Sequence, residues 1–126
     1  MHENDIAKIV VDAAYKIHTR LGPGLLESAY QVILAYELRT RGLRVETEVP
    51  MPVTYEGVSL EIGFRADMVV EDLVILELKS VENVADVHKK QLLTYLRASG
   101  KRLGLLINFG APIIRQGITR IVNGLV

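Results

Sequence analysis

The chain has 126 residues, 49% of them hydrophobic, with fifteen Lys or Arg against fifteen Asp or Glu and no cysteine. That length supports one core and not two, so residues 1–126 are expected to form a single domain. Balanced charge removes any global pull toward nucleic acid or membrane, and the lack of cysteine excludes disulfides, thiolate metal sites and a cysteine nucleophile. The opening Met-His-Glu-Asn-Asp has neither the basic region nor the apolar core of a signal peptide, and no apolar run reaches the length of a membrane span. A cytoplasmic protein without a membrane segment is expected.

From Asp5 to Leu21, Ile6, Ile9, Val10, Ala13, Ala14, Ile17 and Leu21 recur at three- and four-residue intervals, which predicts an amphipathic helix ended by Gly22-Pro23-Gly24. A second helix is expected from Leu25 to Arg41, with Gly42 as its C-terminal cap. Its first part is apolar almost all round and should be largely buried. Glu27 falls in its first turn, either as a charge favoured by the helix dipole or as a carboxylate aimed into a site. Arg44 to Val49 alternates as a first strand, and Pro50 and Pro52 make its continuation an edge or a bend. After a turn at Tyr55-Glu56-Gly57, Leu60 to Met68 alternates again, with Asp67 on its polar face. Glu71-Asp72 is a polar turn, and Leu73 to Lys79 reads as a strand buried on both faces.

A helix is then expected from Val84 to Ser99, capped by Gly100, with Val84, Val87, Leu92, Tyr95 and Leu96 as its inward stripe. Gln91 shares a row with Val87 and Tyr95, an amide where the helix is otherwise apolar. His88 reads as a solvated helix residue, and Lys89, Lys90, Arg97, Lys101 and Arg102 as a basic face. Leu103 to Phe109 is another buried strand. Ile113 to Val122 is expected to be a last edge strand or hairpin, and its apolar character makes it the candidate interface.

Chemistry concentrates where charges interrupt strands. Residues two apart in a strand share a face, so Glu77 and Lys79 emerge side by side, and the turn at Glu71-Asp72 folds Asp67 back toward them. As a bare pair, Glu77 and Lys79 are equally an ordinary ion pair at a strand end. Two carboxylates suit a hard divalent cation such as Mg²⁺ or Mn²⁺, held by protein oxygens together with water and substrate phosphate. Lys79 is then left to orient or deprotonate a water and to stabilise charge on phosphate oxygens.

With Asp67 as the aspartate and Glu77-Leu78-Lys79 as the (D/E)XK element, the chain resembles the PD-(D/E)XK nuclease superfamily; Ala66 stands where that pattern has proline. Gln91-Leu92-Leu93-Thr94-Tyr95 is similar to the QxxxY motif of its RecB-like branch, and Glu27 to the acidic residue on a helix before the first strand. Gly24-Leu25-Leu26-Glu27-Ser28-Ala29-Tyr30 with Gly63-Phe64-Arg65-Ala66-Asp67 looks closest to the GxxExxR proteins, with Tyr30 where that name has arginine. The resemblance implies an α/β fold, a mixed β-sheet flanked by helices on both sides. It implies a Mg²⁺-dependent deoxyribonuclease with Asp67, Glu77, Lys79, Glu27 and Gln91 in the catalytic site and Asp67, Glu77 and Glu27 as metal ligands. Lys89, Lys90, Arg97 and Tyr95 would contact nucleic acid, with DNA as the expected partner. So small a nuclease lacks a separate recognition domain, so a homodimer or a partner protein is also expected. Two alternatives stand beside the enzyme: an inactive nucleic-acid-binding module on the same fold, and an interaction or structural subunit.

Overall fold

Turn chemistry sets the order of the sheet. The computed structural model describes residues 1–125. Glu56 and Gly57, with φ of 46° and 82°, form the two-residue left-handed turn that joins β1 (Val45–Tyr55) to β2 (Val58–Val70) as an antiparallel hairpin. Glu71 and Asp72, with φ of 53° and 55°, reverse the chain again into β3 (Val74–Lys79). A helix, α3 (Asp86–Ser99), then carries the chain back so that β4 (Leu103–Asn108) lies parallel to β3, and β5 (Ile118–Val122) returns antiparallel. The sheet order is β1-β2-β3-β4-β5.

Helices cover both faces, giving the mixed α/β architecture. On one face α1 (Glu3–Leu21) and α2 (Glu27–Thr40) bury Ile6, Val10, Tyr30, Leu34 and Leu38 against Met68, Val70, Val74, Leu76 and Leu105. On the other, α3 sets Leu92 and Leu96 on Val69, Ile75 and Leu106, each worth about 1.5–3 kcal/mol of transfer from water. Gly104 in β4 makes this close approach feasible, since a Cβ there would meet the Leu92 side chain at 2.9 Å. His2 caps α1, taking the Asn4 amide while Asp5 returns to the His2 amide.

Several expectations need correction. The helix α2 is not buried all round: Val32 and Tyr36 are 71% and 69% exposed, because α2 lies on the outside of its layer and only one stripe meets a neighbour. In α3, Val87 is 62% exposed and Gln91 is exposed with it, so that part of the row faces solvent, whereas Val84, Leu92, Tyr95 and Leu96 pack inward as expected. The segment read as a last strand or hairpin begins with one helical turn, α4 (Ile114–Gly117), before β5. Ile118 and Ile121 of β5 pack onto the two opposite cores instead of forming a free apolar face. As expected, the continuation of the first strand through Pro50 and Pro52 lies at the sheet edge, with a register shift between Met51 and Val53. Among the described residues no helix is long and apolar enough to cross a membrane.

Candidate active site

The backbone pairing of β2 with β3 stops at Met68 and Leu76, one residue short of Asp67 and Glu77. From there side-chain carboxylates take over as acceptors. The Asp67 amide donates to Glu77 Oε2 at 2.8 Å, and the Leu78 amide donates to Asp67 Oδ2 at 2.8 Å. The two half-buried carboxylates are thereby crossed over the opening between the strands. Glu77 and Lys79 alternate with Leu76 and Leu78, which belong to the α1/α2 core, and share the parity of Ile75, which belongs to the α3 core. The acidic pair and the lysine therefore look toward α3.

Loops lock this arrangement from behind. Phe109 N–H donates to the Lys79 carbonyl at 2.9 Å. Asn108, paired with Lys79 in the ladder, accepts from the Val81 and Gly110 amides and donates to the Val81 carbonyl. The Ser80 hydroxyl donates to the Leu25 carbonyl at 2.7 Å, which docks the start of α2 on the end of β3. Tyr30 donates to the Gly22 carbonyl, accepts from the Leu25 amide and stacks on Phe109 at 4.4 Å. That bracing brings Glu27 into the field of Lys79 and Asp67.

The electrostatics follow from burial without a full counter-charge. Desolvation, and then the neighbouring Asp67 charge, push Glu77 up to about 8. Burial also raises Asp67, against the hydrogen bond from Leu78, and raises Glu27, against the pull of Lys79. From α3, Tyr95 lies in the field of Glu77 and Asp67, and burial raises its hydroxyl. Its ring stacks on Phe64 at 4.1 Å, so its faces serve the protein core.

Two residues that sequence reasoning passed over belong to this neighbourhood. His88 is half-buried, its Nδ1 lacks a hydrogen-bond partner, and its charge acts on Glu27; its place one turn before Gln91 and Leu92 was the available signal. Glu48 on β1 acts on both Asp67 and Glu27, and nothing in a regular alternation singles it out. The basic residues divide. Lys90 and Arg97 are exposed and Lys89 is half-buried, whereas Lys101 is bound to Asp72 and Arg102 makes a two-pronged bond to Glu3 at 2.8 and 2.9 Å. Those last two are committed to holding the fold.

A model of the PD-(D/E)XK nuclease superfamily matches residues 4–121. The chain belongs to this superfamily. No curated protein and no solved structure gives a significant match. Membership points to a hydrolase acting on phosphodiester bonds of nucleic acid, and nucleases of this superfamily generally use divalent metal ions. The donor chemistry here fits such an ion: two facing carboxylates with raised proton affinity are what a hard cation relieves. Among the described residues no three His, Asp or Glu side chains converge as a preformed metal cage, so the fit rests on the Asp67–Glu77 pair with Glu27 beside it.

Proposed function

We propose that this chain is a metal-dependent nuclease hydrolysing phosphodiester bonds in DNA, with a cytoplasmic location and GxxExxR-type relatives. The observation that carries it is the crossed pair of Asp67 and Glu77 at the end of the β2–β3 ladder, with Lys79 on the same face. Asp67 and Glu77 would hold Mg²⁺ or Mn²⁺, with Glu27 as the nearby third carboxylate. When bound, such an ion supplies positive charge at the phosphate and makes water more acidic.

The chain's own groups do the rest. Lys79 orients the attacking water and stabilises negative charge as it builds on the phosphate oxygens. Gln91, exposed on α3, orients the substrate strand. Lys89, Lys90 and Arg97 on α3 hold flanking phosphates, an attraction that weakens as salt rises. Tyr95 steadies the α3 wall by stacking on Phe64. The proposal includes a second copy or a partner protein to complete recognition of the substrate.

The test compares wild type with Lys79→Ala on supercoiled plasmid, linear duplex, single-stranded DNA and RNA, with Mg²⁺, Mn²⁺ or chelator. Lys79→Ala is expected to fold, bind metal and lose cleavage by a factor of about 10² to 10⁴, the range for a positioned acid–base group. Undiminished chelator-sensitive cutting by Lys79→Ala would mean a different site. The alternative on the same fold is an inactive nucleic-acid-binding module. That reading requires DNA binding with no cleavage by wild type in any cation.

A further inference from the structure

In β1, Glu48 is placed directly across from Asp67, between the pairs Thr47 with Met68 and Val49 with Ala66. Its φ is 51°, in the left-handed region, where a residue with a Cβ is held at a cost and glycine or asparagine sits more easily. This single residue changes which face the hairpin presents. Val45, before it, packs with α1 and α2, whereas Val49 and Met51, at the same parity, pack against α3. The partner strand switches at the same point: Met68 belongs to the α1/α2 core, and Ala66 and Phe64 to the α3 core. Asp67 is the residue at the crossing.

The turn itself does not call for a carboxylate, yet the carboxylate is held. Gln31 Nε2 donates to Glu48 Oε1 at 3.0 Å, and Arg65 donates to the Glu48 carbonyl at 3.3 Å. Gln31 lies four residues after Glu27 and so on the same face of α2. Glu48 therefore links the helix that carries Glu27 to the strand that carries Asp67. Its charge is felt at both.

We propose that Glu48 is a positioning residue of the carboxylate site: its backbone turns Asp67 toward Glu77, and its Gln31-held side chain adds to the negative field that retains a cation. The proposal rests on the metal-dependent reading above. Separating the two roles is possible because glycine preserves the backbone and removes the charge, whereas glutamine keeps the side-chain shape.

The experiment is calorimetric titration of the full chain with Mn²⁺, alongside thermal melting, for wild type, Glu48→Gly, Glu48→Gln and Asp67→Asn. Glu48→Gly is expected to melt at or above the wild-type temperature while its Mn²⁺ affinity falls about tenfold, as for removal of a group supporting metal ligands. Glu48→Gln should lose affinity by a similar factor. A Glu48→Gly variant that melts lower than wild type overturns the backbone argument. Wild-type Mn²⁺ affinity in both Glu48 variants, with affinity lost in Asp67→Asn, overturns the side-chain role and leaves the metal-dependent reading standing. Absence of Mn²⁺ binding by wild type removes that reading, and this inference with it.

Discussion

Two regions of the molecule bury carboxylates, and they treat them in opposite ways. Between α1 and α2, Glu37 is 9% exposed and accepts from Lys16 at 2.8 Å and from Arg41 at 3.2 Å. The Lys16 hydrogen bond outweighs burial, with Arg41 adding to it, and the carboxyl is held below its ordinary value. At the end of the β2–β3 ladder, Glu77 faces Asp67 with Lys79 as a weaker offset, and its carboxyl is driven up to about 8. The same residue type has its proton affinity lowered in one place and raised in the other. At Glu37 cationic donors outweigh burial, whereas at Glu77 burial is the largest cause and the Asp67 charge adds to it, which is why a buried carboxylate without a full counter-charge marks a site.

The strongest way to break this comparison is at Glu37. Glu37→Ala leaves Lys16 and Arg41 without their shared acceptor and should lower stability by about 2–3 kcal/mol, read by urea unfolding at pH 7. A loss below about 0.5 kcal/mol would mean that solvent already screens the pair.

Glu77→Gln should move the other way. In chelator at pH 8 it is expected to gain on the order of 1–2 kcal/mol, since it removes a buried charge that water relieves only in part. The sign follows from proton counting. An unfolded Glu releases its proton near 4.5, while folded Glu77 keeps it to about 8, so wild-type stability falls as pH rises through that window. In Glu77→Gln that decline should flatten. Glu37 has the opposite slope: its contribution is present above 4.5 and is lost as pH falls through its depressed value. Wild type and variant with parallel stability–pH profiles from 5 to 8 would contradict the raised Glu77. Saturating Mg²⁺ should cancel the difference by stabilising the charged pair.

The smallest effect is expected at Gln91. Because it is exposed, Gln91→Leu should change stability by less than about 0.5 kcal/mol, whereas an amide in a closed apolar row would have cost more. Reduced cleavage at unchanged melting temperature is the outcome that gives this amide a part in substrate placement.

What was legible in the sequence follows the regularity of the backbone. Glu77 and Lys79 share a face by strand alternation, and the Glu71-Asp72 turn brings Asp67 to them, so this part of the geometry could be read directly. Alternation fails at Glu48, where one left-handed residue reverses the faces of two strands, and no pattern of polar and apolar letters contains that reversal. Composition misled at α2 because it counts apolar residues without saying how many neighbours they have. Val87 failed for a related reason: its spacing fits the inward stripe, yet only Val84, Leu92, Tyr95 and Leu96 of that stripe meet the core, and Gln91 is exposed beside it. Lys101 and Arg102 look like free cations until Asp72 and Glu3, distant in sequence, are brought beside them.

The crossed hydrogen bonds at the ladder's end also make the protein its own probe. The amide protons of Asp67 and Leu78 are held by carboxylate oxygens, while their neighbours in the sheet are held by carbonyls. Protonating a carboxylate, or engaging its oxygen with a cation, changes the acceptor those two protons see. In a ¹⁵N-labelled sample, the Asp67 and Leu78 resonances should therefore shift and change their exchange with solvent water as the site titrates or loads, while Val69 and Ile75, one step inside the ladder, stay nearly still. Two peaks in a spectrum then report the occupancy of the pair with no substrate present.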